Sequence, residues 1–314
     1  MAAILLVIFS VMLIMLVAMS YKLRDFSSRA NEEDEGREKK TMIIGWINAA
    51  MVLIIIALLV SLYFTIAGSV YESHLREWLN IIVRVMHITF GIAWIGASFY
   101  FVFLENALNR TEGVRDELAG NLWAVHGGGF YYLEKYKGAP KTMPKKLHWF
   151  KYEAYFTWIS GVALLFVVYY FNASAMLTSD SVMKMPPATG ISIGLGSLVL
   201  AWLAYDVLCK SPIRRNVYLF ALAIFTMLGL FAFGYSQVFV PRAAYIHFGA
   251  LIGTLMAGNV FFIIIPSQKA MVNAASKGIM PDVMKGKNAL FRSIHNNYFT
   301  LPVLFVMVSN HFPG

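Results

Sequence analysis

The chain has 314 residues, of which 59% are hydrophobic and only 14% are charged, and its mean hydropathy is +0.63. Soluble domains are roughly half apolar and about a quarter charged, so this composition excludes an ordinary soluble protein and indicates a membrane protein. A single cysteine, Cys209, excludes disulfides within the chain, and the absence of a CxxCH motif excludes covalently attached c-type haem.

Eight apolar segments are long enough to cross a bilayer as helices. The first, residues 2–21, is uncharged throughout and has about the length that spans a hydrocarbon core of roughly 30 Å. It lacks a basic region before it, so we interpret it as a spanning helix and not as a cleaved signal peptide. Further spans are predicted at 42–70, 79–104, 150–172, 190–208, 217–239, 245–266 and 296–312. The predicted fold is an all-α polytopic membrane protein, a bundle of about eight transmembrane helices forming one domain over residues 1–314.

The basic residues lie on alternate loops. Segments 22–40, 105–151, 209–216 and 267–295 contain 22 of the 26 Lys and Arg residues. With eight spans these segments fall on one side of the membrane, and the positive-inside rule makes that side cytoplasmic. Both termini are then expected outside. This distribution explains the net charge of +9 by topology, so we expect the lipid bilayer and no nucleic acid as a partner.

The longest cytoplasmic loop, residues 105–149, contains "NLWAVHGGGFYYLEKYKGAPKTMPKKLHWF". A simple linker does not need so many aromatic residues, so we expect this loop to be structured and to fold against the helix ends. His126 precedes three glycines, where the backbone can closely approach a ligand. His126 is therefore a candidate functional residue, whereas His148 is more simply an exposed one.

The third span contains "RVMHITFGIAWIG", residues 84–96, with two ionisable groups inside an apolar run. Arg84 can extend its charged end toward the membrane surface. His87 lies deeper, and ionisable residues within membranes commonly mark functional sites. Small and aromatic residues follow on its helical face and admit either a neighbouring helix or a flat cofactor: Gly91, Trp94, Ile95 and Ser98.

The seventh span places a second histidine, His247, in the corresponding half of the membrane. Small residues lie below it, with Thr254 and Gly258 on its face and a ridge at Gly249, Gly253 and Ala257. Two imidazoles from different helices can hold a non-covalent haem b, and Arg84 would then neutralise a haem propionate. His74 and His311 are rival ligands. Close helix packing, with each histidine hydrogen-bonded to a neighbouring helix, is the alternative.

Other polar residues have simpler explanations. Asp206 and Lys210 are spaced for an i,i+4 ion pair, and Asn259 is placed to bridge two helices. The methionines are scattered through apolar runs, which favours core packing over copper handling. No nucleotide-binding or hydrolase motif is present in the sequence.

Three motifs, "HITFGIAWIG", "NLWAVHGGGFYYLEKY" and "HFGALIGTLMAGNVFFIIIPSQ", resemble in this order the membrane domain of the membrane-bound urate hydroxylases, the urate oxidase N-terminal family. The resemblance spans nearly the whole chain. It implies an enzyme of the bacterial inner membrane that oxidises urate to 5-hydroxyisourate and passes the electrons to a cytochrome c. If purine oxidation takes place near the cytoplasmic face, His126 is the candidate proton acceptor. Arg292 is the candidate partner for an anionic purine.

The relatives usually carry a cytochrome c domain at the C-terminus, whereas this sequence ends at "NHFPG". We therefore expect a separate cytochrome c, or another respiratory carrier, as the electron acceptor. Two other functions stay open from sequence. One is a non-catalytic cytochrome b-type electron-transfer subunit, and the other is a transporter or copper-handling membrane protein.

Overall fold

A computed structural model describes residues 68–69, 71–144 and 146–309, together with separate helical positions between 47 and 58. The predicted span 2–21, the loop 22–40 and most of the span 42–70 lie outside the described residues. The chain divides into two compact units, Met1–Trp78 and Leu79–Gly314. The features described below belong to the second unit unless stated otherwise.

Long helices dominate this unit. They are α1 (Tyr71–Ala107, which begins in the first unit), α2 (Tyr152–Leu164), the short α3 (Ala173–Met176), α4 (Pro187–Lys210), α5 (Val217–Val238), α6 (Pro241–Gly258), α7 (Ile265–Ser276) and α8 (Val283–Ser309). Two π-helical segments extend this set: Leu165–Tyr170 continues α2, and Asn259–Ile264 joins α6 to α7.

Five of the described helices are long and apolar enough to cross a membrane, which confirms the all-α membrane class. They are α1, α2 with its π-helical continuation, α4, α5, and the continuous rod from α6 to α7. Each covers all or all but a few residues of one of the spans predicted between residues 79 and 266. The predicted span 296–312 falls largely in α8, which begins well before it, at Val283.

Local sequence signals set several helix starts. Pro187 and Pro241 occupy the first positions of α4 and α6, where a missing N–H costs nothing and the fixed φ suits a helix. Asn216 caps α5 by accepting hydrogen bonds from the backbone N–H groups of Tyr218 and Leu219, at 3.0 and 3.1 Å.

The most buried helix is α6, which packs against α2, α4, α5 and α8. Leu251 and Leu255 are fully buried on it, as is Tyr205 on α4. Because these four helices all contact α6, its side chains determine what lies between them.

The aromatic loop folds as an antiparallel β-hairpin of β1 (Leu118–His126) and β2 (Gly129–Tyr136). Gly127 and Gly128 form its two-residue turn with φ angles of 58° and 81°, the positive values that tight hairpin turns need. The aromatic content predicted a structured loop here, and the glycines were expected to let a ligand approach the backbone. The structure uses two of them to reverse the chain.

Candidate functional site

A cavity of about 520 Å³ lies between α1, α2, α6 and α8. Its volume is in the range of small-molecule and cofactor sites, and its walls are mainly apolar. The predicted face of α1 lines it completely, through His87, Gly91, Trp94, Ile95 and Ser98. A Cβ added at Gly91 or at Gly253 on the facing helix would meet nothing within 4 Å, so the small residues leave open space here.

His87 lines this cavity, and its two ring nitrogens have different surroundings. Its Nδ1 lies 3.0 Å from the carbonyl oxygen of Thr157 and 3.2 Å from Oγ of Ser160. A carbonyl only accepts, so Nδ1 carries the proton and Nε2 keeps its lone pair. Within the described part of the chain, Nε2 has no hydrogen-bond partner. A histidine that donates one N–H to a backbone carbonyl has the arrangement of a metal ligand.

The neighbouring helix makes room for this ring. A Cβ at Gly161 on α2 would lie 3.0 Å from Cε1 of His87, closer than most side-chain contacts. The sequence "YFTWISG" therefore supplies the carbonyl of Thr157, the hydroxyl of Ser160 and the free space beside Gly161 from one helical face.

Two arginines also line the cavity, Arg84 from α1 and Arg242 from the first turn of α6. Nη2 of Arg84 donates to Oδ1 of Asn80 at 3.1 Å, which leaves its other donors for a ligand. Two guanidinium groups on a mainly apolar cavity suit a ligand that is flat, apolar and anionic at one edge. Arg242 was not singled out by sequence reasoning, although its position five residues before His247 was a usable signal.

His247 is placed differently from the sequence expectation. It is fully buried, and both ring nitrogens are occupied, Nδ1 by the carbonyl of Ala243 at 2.8 Å and Nε2 by the hydroxyl of Tyr170 at 2.9 Å. It is not among the residues that line the cavity. A Cβ at Gly194 would lie 3.0 Å from its Nε2, so the ring packs tightly against α4.

The structure therefore does not bring His87 and His247 to one cavity. His87 lines the cavity and has a nitrogen lone pair without a hydrogen-bond partner among the described residues, so it fits a ligand of haem iron. His247 in this arrangement does not, because Tyr170 already occupies the nitrogen that would bind iron. The alternative from the sequence, a histidine hydrogen-bonded to a neighbouring helix, describes His247 well.

Arg292 lies in a second polar site, where α4, α6 and α8 meet. It is 3% exposed, and its Nη2 donates to Oδ1 of Asp206 at 2.5 Å. Its Nη1 donates to Oδ1 of Asn259 at 3.3 Å, and the guanidinium lies over the ring of Tyr205 at 5.0 Å. Asp206 also pairs with Lys210, as predicted. Arg292 thus already has an anionic partner within the chain.

This site extends through a hydrogen-bond network that sequence reasoning missed. Nδ2 of Asn259 donates to the hydroxyl of Tyr205 at 3.0 Å and to Oδ1 of Asn296 at 2.9 Å, so Asn259 does bridge helices. The Tyr205 hydroxyl lies 2.7 Å from Nδ1 of His295. Arg292, His295 and Asn296 share one face of α8 at i, i+3 and i+4, a spacing that could have revealed the network.

The other candidate histidines lie apart from both sites. His126 is exposed at the end of β1, and neither a hydrogen bond nor the cavity links it to Arg292 among the described residues. His148 is exposed and packs edge-on against Phe150 with ring centroids 4.5 Å apart. His74, in the first unit, accepts a hydrogen bond from Nε1 of Trp78. His311 lies outside the described residues.

Comparisons with known proteins identify a family for the chain but no individual relative. The described residues contain no group of three or more His, Cys, Asp or Glu side chains arranged to hold a metal ion, so any metal would need another ligand set. No curated protein and no solved structure matches the chain. A sequence profile described as urate oxidase N-terminal matches residues 73–314, a stretch that includes the cavity, the hairpin and the Arg292 network. The chain is therefore a membrane protein that belongs to the urate oxidase N-terminal family.

Proposed function

We propose that this protein oxidises urate to 5-hydroxyisourate at a bacterial inner membrane and passes the electrons through haem b to a cytochrome c. Urate and water give 5-hydroxyisourate, two protons and two electrons, so a one-electron carrier must act twice per turnover. The observation that supports the proposal is the His87 cavity, which lies within the region matched by the urate oxidase family.

The residues around the cavity have separate roles in this proposal. His87 would hold the haem iron, with Thr157 fixing its tautomer through Nδ1. Arg84 and Arg242 would neutralise the carboxylates of the haem, and the open space beside Gly91 and Gly253 would admit its flat ring. When bound, haem carries one electron at a time at a potential set by its axial ligands and its burial.

The decisive experiment is a visible spectrum of the purified protein, recorded with and without urate. A Soret band that shifts to the reduced form on addition of urate is the expected result. A Soret band that urate leaves unchanged would instead identify a non-catalytic electron-transfer subunit. The absence of a Soret band would leave the transporter or copper-handling function.

Histidine variants then locate the haem. His87→Ala is expected to lose the haem, whereas the control His148→Ala, at an exposed histidine, is expected to retain it. His247→Ala distinguishes the arrangement in the structure, where His247 is bonded to Tyr170, from the bis-histidine haem ligation expected from the sequence. Because Tyr170 occupies Nε2 of His247, we expect this variant to keep its haem, and loss of haem in both His87 and His247 variants would favour the bis-histidine arrangement.

The proposed catalytic roles of His126 and Arg292 stay predictions. The side chain of His126 is exposed, so urate or water can reach it. It lies on the hairpin, however, and not in the cavity. Arg292 can contact urate only if Asp206 shares or releases the guanidinium. Measurements of turnover in variants of these two residues, described in the Discussion, distinguish catalysis from structural support.

A further inference from the structure

One side of the hairpin is apolar, aromatic and exposed. Trp123 pairs with Tyr132 across the strands and Val125 pairs with Phe130, so these four side chains lie on one face, which we call the aromatic face. Trp123 and Val125 are each 68% exposed and Phe130 is 80% exposed. The rings of Trp123 and Tyr132 are 4.7 Å apart, which makes the surface continuous. A contiguous apolar surface of this kind marks an interaction site.

The opposite face of the hairpin is less exposed. Leu122 and Leu133 pair there and are half-buried, as is Ala124, while its partner Tyr131 is exposed. The base of the hairpin is attached to α1, since Lys135 pairs with Glu105 and the backbones of Asn109 and Asn121 exchange hydrogen bonds of 2.8 and 3.0 Å. The aromatic face is therefore held in a fixed position near the end of α1.

That position is beside the ends of two candidate membrane spans. The hairpin connects the end of α1 to the start of α2, and both helices are long and apolar enough to cross a membrane. Contacts between them run antiparallel, from His87 with Ser160 to Phe101 with Phe150, so both helices reach the same side of the bilayer beside the hairpin. Trp and Tyr are enriched at this depth because their rings are apolar and their polar groups remain hydrated.

The charge of the segment fits the same surface. Residues 105–151 contain eight basic and five acidic residues, whereas the aromatic face contains none of either. Near the base of the hairpin Arg115 and Lys135 are paired with Glu134 and Glu105, whereas the exposed Lys137, Lys141 and Lys146 have no ion-pair partner among the described residues. Anionic headgroups attract such residues by about 1 kcal/mol each near the surface, while the uncharged tip can enter the acyl boundary.

We propose that the aromatic face lies in the headgroup layer of the bilayer, with Phe130 and Val125 pointing toward the acyl chains. The hairpin then fixes the cytoplasmic ends of α1 and α2 to the membrane surface. The proposal is independent of urate and of haem, because it depends only on the hairpin and on the two spans that flank it.

Spin labels on the two faces test this placement. A nitroxide is attached at Phe130→Cys on the aromatic face and, as the matched control, at Tyr131→Cys on the opposite face. The single natural cysteine, Cys209, is buried, and the unmodified chain measures background labelling. Proteins are placed in nanodiscs of phosphatidylcholine and phosphatidylglycerol, and collisions with oxygen and with a water-soluble nickel chelate are compared. Val125→Cys and Ala124→Cys form a second pair.

We expect the reagent that collides more often with the label to differ between neighbouring positions. Labels at 130 and 125 should collide mainly with oxygen, which concentrates in lipid, and the label at 131 should collide mainly with the nickel chelate. Equal nickel access at 130 and 131 would place the aromatic face in water and overturn the proposal. Protection of 130 from both reagents would also overturn it, because a protein segment would then cover the face.

Discussion

The buried ion pair between Asp206 and Arg292 yields the sharpest stability prediction. Asp206→Asn removes the negative charge while keeping the side-chain shape, and it leaves the buried guanidinium of Arg292 without its anion. Removing one partner of a buried pair costs about 3–5 kcal/mol. Because Asn259 still accepts a hydrogen bond from Arg292, we expect a loss near the lower limit, about 3 kcal/mol.

Lys210 provides the matched control, since it pairs with the other oxygen of the same carboxylate but is 66% exposed. Lys210→Gln should cost at most about 1 kcal/mol, because water screens such a pair. For a unit of this size, about 2–4 °C of melting temperature corresponds to each kcal/mol. Thermal unfolding in mild detergent should therefore separate Asp206→Asn clearly from Lys210→Gln.

A double variant completes the test. Asp206→Leu combined with Arg292→Met replaces the pair with apolar groups, which is often neutral or stabilising, so the double variant should be more stable than Asp206→Asn. The same protein reports on catalysis. If it is stable but no longer turns over urate, the Asp206–Arg292 pair is needed for activity and not only for stability. Equal losses for Asp206→Asn and Lys210→Gln would refute the reasoning.

Two further predictions concern packing and proton transfer. Gly258→Ala should lower the free energy of unfolding by about 1–3 kcal/mol, because its Cβ would lie 2.5 Å from Cε3 of Trp202. Gly196→Ala, on α4 with open space around it and outside the cavity, is the control and should not destabilise the protein in the same unfolding assay. His126→Gln should abolish urate turnover and leave haem content unchanged, as measured by steady-state kinetics and the Soret absorbance. Unchanged turnover would remove His126 from the mechanism.

The α1 face of the cavity was predictable from sequence, and the His87–His247 pairing was not. Helical periodicity places His87, Gly91 and Trp94 on one side of a helix whatever surrounds it. Periodicity does not specify which neighbouring helix packs against each side of α6. On α6 the side that lines the cavity includes Gly249, two residues and about 200° beyond His247. The ring of His247 instead lies against α2 and α4.

The hairpin was missed because its aromatic residues were interpreted by composition and not by alternation. Val125, Phe130 and Tyr132 alternate with residues of the other face around a Gly-Gly pair, which is a hairpin signal. The Arg292 network was missed for another reason. Its members come from α4, α6 and α8, and no single helix reveals which polar groups meet across an interface.

The π-helical segment Asn259–Ile264 has a consequence for how the chain tolerates change. A π turn holds one residue more than an α turn, and this one joins α6 to α7, which packs against α8. Deleting a single residue there would restore regular winding locally. Because the π turn already accommodates the extra residue, such a deletion would leave the same side of α7 facing α8, whereas the same deletion within α6 would rotate everything downstream by about 100°. Shortening the chain by one residue at this junction, outside the bridging Asn259, should therefore be less harmful than shortening it by one residue within α6.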